Sequence, residues 1–106
     1  MKEITVQTLK ERRDSDADLF LLDVRDSFEY QIANIGGTLI PLAELEARLD
    51  ELPEDRTSTI VVMCRSGKRS AEAAQRLERE GFTRVENLKG GILAWAREID
   101  PTLPEY

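Results

Sequence analysis

Ile60-Val61-Val62-Met63-Cys64-Arg65-Ser66-Gly67-Lys68-Arg69-Ser70-Ala71 changes character twice within a short distance. The opening apolar run, uncharged and rich in β-branched residues, predicts a strand buried on both faces. A polar, glycine-containing loop follows. From Ser70 to Glu80 the spacing predicts a helix, with Ala71, Ala74 and Leu77 on one side and Glu72 and Arg76 placed to pair on the surface. Gly81 suits the residue after the helix end, where Phe82 can fold back onto it. Strand, loop and helix in this order form the repeating unit of a parallel α/β sheet.

The rest of the chain repeats the alternation. Ile4 to Val6 predicts a short strand and Thr8 to Arg13 a modest helix. Leu19-Phe20-Leu21-Leu22-Asp23-Val24 is a second buried-strand run, followed by a short helix or turn over Ser27 to Ala33. Gly36-Gly37 breaks the chain before the extended segment Leu39-Ile40-Pro41. Leu42, Leu45, Leu49 and Leu52 trace the stripe of an amphipathic helix closed by Pro53. Val85 to Leu88 suggests a last strand, and Ile92, Trp95, Ala96 and Ile99 a last helix stopped by Pro101. No repeat, linker or low-complexity segment interrupts this order. Residues 1–106 therefore read as one α/β domain, with a mainly parallel sheet covered by helices on both faces.

Composition narrows the chemistry. The net charge is −6, and the acidic residues are spread along the chain, which argues against nucleic-acid and anionic-membrane partners. One cysteine and no histidine rule out an internal disulfide and make thiolate or imidazole metal sites implausible. They also exclude Cys-His and Ser-His nucleophilic pairs. No apolar run approaches the ~20 residues of a membrane span, and Met1 to Leu9 lacks the apolar core of a signal peptide. A free thiol without an export signal leads to the expectation of a cytoplasmic protein.

Cys64 falls where ligands bind in open α/β sheets, outside the carboxyl end of a strand. Gly67 allows a tight turn whose N–H groups can converge as an anion nest, and the following helix turns its positive end toward the same place. Arg65, Lys68 and Arg69 add three cations in an otherwise acidic chain. Together these features favour a thiolate at Cys64 at neutral pH without any general base. A lone cysteine after an apolar strand is commonly inert packing, but packing does not explain the three cations and the glycine. Packing and local structure do account for several neighbours. Ser70 can be read as an N-cap, Trp95 sits on the apolar stripe of its helix, and Glu44, Glu46, Glu51 and Glu54 form a solvated face. Asp23 and Arg25 are expected to form a buried pair that braces the loop from below, rather than to act on substrate.

Cys64-Arg65-Ser66-Gly67-Lys68-Arg69-Ser70 resembles the active-site loop of the rhodanese superfamily, with the catalytic cysteine first. Leu22-Asp23-Val24-Arg25 followed by Glu29-Tyr30 is similar to a stretch after that family's second strand, and Gly90-Gly91-Ile92-Leu93-Ala94-Trp95 resembles its closing motif. Ile99-Asp100-Pro101-Thr102-Leu103-Pro104 is similar to the ending of rhodanese domains fused to enzymes that activate ubiquitin-like proteins. One segment departs from the pattern. Asn34-Ile35-Gly36-Gly37-Thr38 stands where the family usually has a histidine and a Pro-Gly-Ala-like turn, and Asn34 is expected to serve as a turn former.

The resemblance implies a rhodanese fold with a five-stranded, mainly parallel sheet. It also implies a sulfurtransferase that takes sulfane sulfur from thiosulfate or a persulfide donor as a Cys64 persulfide and passes it to a thiol, cyanide or a sulfur-carrier protein. Arg65, Ser66, Gly67, Lys68, Arg69 and Ser70 would bind the small anionic donor, and no cofactor or metal is required. Two alternatives share the loop or the fold: a cysteine phosphatase or arsenate reductase, and a non-catalytic binding module. Cysteine phosphatases resemble one another in placing an arginine six positions after the cysteine, where this chain has Ser70. A binding module would have no use for an intact cysteine among cations.

Overall fold

The computed structural model describes residues 1–106. Strands β1 (Lys2–Ile4), β2 (Phe20–Asp23), β3 (Thr38–Leu39), β4 (Thr59–Met63) and β5 (Arg84–Leu88) alternate with helices α1 (Val6–Asp14), α2 (Ser27–Ile32), α3 (Lys68–Arg79) and α4 (Gly91–Glu98). The strands form one sheet in the order β1-β5-β4-β2-β3, with every pair parallel. The strand before Cys64 is therefore the centre of the sheet. Register places Asp23 beside Met63 and Asn87 beside Val62, so the ends of β2, β4 and β5 open at one edge.

Alternating side chains of the central strands supply two cores. Leu22, Ile60, Val62 and Cys64 pack on one face with Ala74 and Leu77 of α3. Leu21, Val61 and Met63 pack on the other with Leu9 of α1 and Ile92 and Trp95 of α4. This is the two-faced burial that uninterrupted apolar strands require. The Phe82 N–H donates to the Leu77 carbonyl (3.1 Å) and Gly81 takes φ +95°, closing α3 as its sequence predicts. No helix is long and apolar enough to cross a membrane.

The first strand ends at Ile4 rather than running to Val6, because Thr5 caps α1 and Val6 is its first residue. Two further expectations need correction. The leucine stripe over residues 42–52 is not one α-helix but two 3-10 segments, Leu42–Glu44 and Glu46–Glu51. Steps of three residues (Leu42 to Leu45, Leu49 to Leu52) match the 3-10 period, and Arg48 leaves helical geometry (φ −123°, ψ 24°) within the step of four. Leu45 and Leu52 still reach the core, so the pattern correctly marked the buried face but not the helix type. The second correction concerns α3, which begins at Lys68 with Gly67 as its N-cap at φ 108°. Ser70 is therefore not an N-cap; it lies in the first turn and faces inward.

Candidate active site

Cys64 is the first residue after β4 and is 1% exposed. Its Sγ accepts hydrogen bonds from the Gly67 N–H (3.1 Å) and the Ser70 N–H (3.4 Å), and the Ser70 hydroxyl oxygen lies 3.4 Å away, a third donor within reach. Gly67 makes this possible, because its left-handed backbone turns the loop back into the first turn of α3. Burial pushes the Cys64 thiol up, but the Ser70 hydroxyl and the N–H groups of Ser70, Gly67 and Ser66 more than offset it and hold the thiol below its ordinary value.

The loop is tied down on both sides. The first N–H groups of α4 donate to it, Ile92 to the Cys64 carbonyl (3.0 Å) and Leu93 to the Arg65 carbonyl (3.2 Å). This contact requires Gly91, where a Cβ would lie 2.3 Å from the Cys64 carbonyl oxygen. On the other side Arg69 forms a bidentate pair with Glu29 (2.7 and 2.8 Å). Glu29 is 4% exposed, and it also closes the capping box of α2 with Asp26. The Arg69 hydrogen bonds drive the Glu29 carboxyl below its usual range, outweighing the opposite effect of its burial.

The three loop cations therefore have different surroundings. Arg69 is committed to Glu29 and reaches Cys64 only as a through-space charge. Arg65 and Lys68 are exposed at the rim, with the Arg65 guanidinium 5.7 Å from the Tyr106 ring centroid. Asp23 and Arg25 form the expected buried pair (2.7 Å, both 0% exposed). Arg25 makes no hydrogen bond to the loop; its guanidinium donates to the Ala33 carbonyl (2.8 Å) and pins α2, the helix that presents Glu29. Asn34 closes a turn by accepting from the Gly36 N–H and donating to the Tyr30 carbonyl (both 3.0 Å).

Two residues of this network carried no role in the sequence analysis. Glu29 entered only as part of the Glu29-Tyr30 motif, with no role of its own. Asn87, 2% exposed, donates to the Gly67 carbonyl (3.1 Å) and accepts from the Ser70 hydroxyl (2.5 Å). Nothing in the strand sequence Arg84-Val85-Glu86-Asn87-Leu88 set it apart from its polar neighbours.

The source of the thiol's lowered pKa can be measured. The pH midpoint of Cys64 alkylation is expected below that of a free cysteine thiol. Lys68→Ala is expected to raise it by less than about half a unit, because an exposed charge is screened by solvent. A midpoint at the free-thiol value in the unmodified protein would contradict the hydrogen-bond account.

The sequence model for the family described as "Rhodanese-like domain" matches residues 5–98. The chain is 39% identical over 98 residues to a sulfurtransferase of Allochromatium vinosum, covering 92% of this chain and 90% of that protein. It is 38% identical over 109 residues to the adenylyltransferase and sulfurtransferase MOCS3-1 of Zea mays, covering 97% of this chain and 23% of that one. The first curated relatives it matches are also longer: the chain spans 26% of those from Mycobacterium tuberculosis and 52% of one from Bacillus subtilis. Among solved structures, the rhodanese-related protein of Thermoplasma volcanium superposes with a TM-score of 0.84 at 29% identity, covering 100% of both chains. The human single-domain sulfurtransferase TSTD1 gives a TM-score of 0.83 at 25% identity, covering 92% of this chain and 97% of that one.

Proposed function

Because this chain belongs to the rhodanese-like domain family, we propose that it moves sulfane sulfur from thiosulfate or a persulfide donor to a thiophilic acceptor through a persulfide on Cys64. The convergence of N–H and O–H donors on Cys64 Sγ is the observation that carries this reading, since those donors favour a thiolate. The thiolate attacks the outer sulfur of thiosulfate. The new S–S bond forms as the old one breaks, and sulfite leaves with the bonding pair, so no oxidant is consumed. The charge then lies on the terminal sulfur of Cys64–S–S⁻. An acceptor thiolate or cyanide takes that sulfur and returns Cys64 to the thiolate. Cys64 is the only cysteine, so the persulfide cannot resolve as an internal disulfide and must be passed outward.

Arg65 and Lys68, exposed at the rim, are placed to attract the anionic donor and the departing sulfite. A sulfur-carrier protein as acceptor belongs to the same proposal. The exposed Phe28 ring packs edge-on against Tyr106 (centroids 6.2 Å apart), beside Arg65, and offers an apolar ledge next to the loop.

Phosphate chemistry fits the geometry less well. Arg69, the last arginine of the loop, gives the end of its guanidinium fork to Glu29, so its charge is already paired with a carboxylate rather than held open for a phosphoryl group. No acid in the loop could protonate an ester leaving group. One preparation assayed with thiosulfate and cyanide and, separately, with an aryl phosphate tests the assignment. The expected result is ready sulfur transfer with negligible phosphate hydrolysis. Hydrolysis at a comparable rate, lost on replacing Cys64, would overturn it.

A further inference from the structure

Ser70 has one hydroxyl proton and two acceptors within reach. Its Oγ lies 2.5 Å from Asn87 Oδ1 and 3.4 Å from Cys64 Sγ. The orientation of the Asn87 amide follows from its other end. Gly67 presents a carbonyl, which only the Nδ2 can serve, at 3.1 Å, so Oδ1 must face Ser70. Ser70 is 0% and Asn87 2% exposed, which leaves water little room to supply a second donor. While Cys64 is a thiol, every group can be satisfied in a chain, S–H to Ser70 Oγ and Ser70 O–H to Asn87 Oδ1. Once the thiol proton leaves, sulfur and amide oxygen compete for the same hydroxyl proton.

We infer that the Ser70 hydroxyl is a two-position switch governed by Asn87, donating to Cys64 Sγ in the bare thiolate and to Asn87 Oδ1 when the sulfur is protonated or carries a sulfane sulfur. Loading moves the switch. In R–S⁻ + S₂O₃²⁻ → R–S–S⁻ + SO₃²⁻ the charge passes from Sγ to the terminal sulfur. Sγ becomes a neutral two-bonded sulfur and a poor acceptor, so the hydroxyl returns to Asn87. Asn87 is thus a positioning residue: it restrains ionisation of the empty site and favours the loaded one through Ser70, while its Nδ2 holds the Gly67 carbonyl in place. The loaded half of this inference rests on the sulfur-transfer reading, whereas the competition at the thiolate does not.

The test is the pH dependence of Cys64 alkylation by iodoacetamide in the unmodified protein, Ser70→Ala, Asn87→Ala and the double variant. Asn87→Ala is expected to release the hydroxyl to sulfur and raise the thiolate fraction below the midpoint roughly three- to tenfold, about the reach of one charge-assisted hydrogen bond. Ser70→Ala should lower that fraction, and the double variant should match Ser70→Ala. The near-isosteric Asn87→Asp, a stronger acceptor, should lower the thiolate fraction, and by more with Ser70 present than with Ala at that position. This pair decides the matter if Asn87→Ala does not fold. A fall in thiolate fraction in Asn87→Ala, or a shift of equal size with and without the Ser70 hydroxyl, would mean that Asn87 only holds the loop, and would overturn the switch. Alkylation needs only a thiolate, so coupling retained in a protein that does not transfer sulfur upholds the competition and overturns the reaction alone.

Discussion

Cys64→Ser is expected to abolish sulfur transfer from thiosulfate to cyanide while leaving the circular dichroism spectrum of the protein unchanged. A serine Oγ fits the position of Sγ and can accept from the same Gly67 and Ser70 N–H groups, so the loop keeps its hydrogen bonds. The chemistry does not survive the exchange. An alcohol stays protonated near neutral pH, there is no histidine to act as its base, and oxygen cannot replace sulfur in a persulfide. The stability cost should be small, because the hydroxyl enters a site already lined with donors. Turnover above the protein-free background in this variant would remove Cys64 from the mechanism.

The largest effect on stability is expected away from the reacting sulfur. Arg25 and Asp23 are both buried to 0% exposure, and Arg25 also serves the Ala33 carbonyl. Arg25→Met keeps much of the volume but leaves the Asp23 carboxylate without its counter-charge and α2 without its anchor. Removing one partner of such a pair costs about 3–5 kcal/mol. Denaturant unfolding should show a loss of that size, and sulfur transfer should fall as well, because α2 presents Glu29 to Arg69. Replacing both residues with apolar ones, Asp23→Leu with Arg25→Met, should recover part of the stability, since no charge is then stranded. A single variant within about 1 kcal/mol of the parent, the worth of an exposed ion pair, would contradict this account.

The fold was legible because burial on two faces leaves a simple mark. The apolar runs before Asp23 and Cys64 read as central strands, and they are β2 and β4. The family's sheet, five strands and all parallel, also stands as the resemblance implied. The leucine stripe failed in type because spacings of three and four serve a 3-10 helix with one kink as well as an α-helix. The start of α3 was misplaced for a different reason. Serine is a common N-cap, but here a left-handed glycine turns the chain three residues earlier. At the site, the cysteine and its glycine could be recognised because their chemistry is local. The partners that decide what each loop residue does were not. Glu29 lies 40 residues from Arg69, and Asn87 lies 17 from Ser70; only the parallel register brings them together. For the same reason the cations of the loop looked equivalent in sequence, although only Arg65 and Lys68 remain unpaired at the rim.

If Cys64 itself carries the sulfur, intact-protein mass spectrometry reads that directly. After brief treatment with thiosulfate and removal of excess reagent, the protein is expected to gain the mass of one sulfur atom. The gain should map to Cys64, be absent in Cys64→Ser, and disappear when cyanide or an acceptor thiol is added. An unmodified mass after thiosulfate and after a persulfide donor, in protein whose Cys64 still alkylates as a thiolate, would contradict the account.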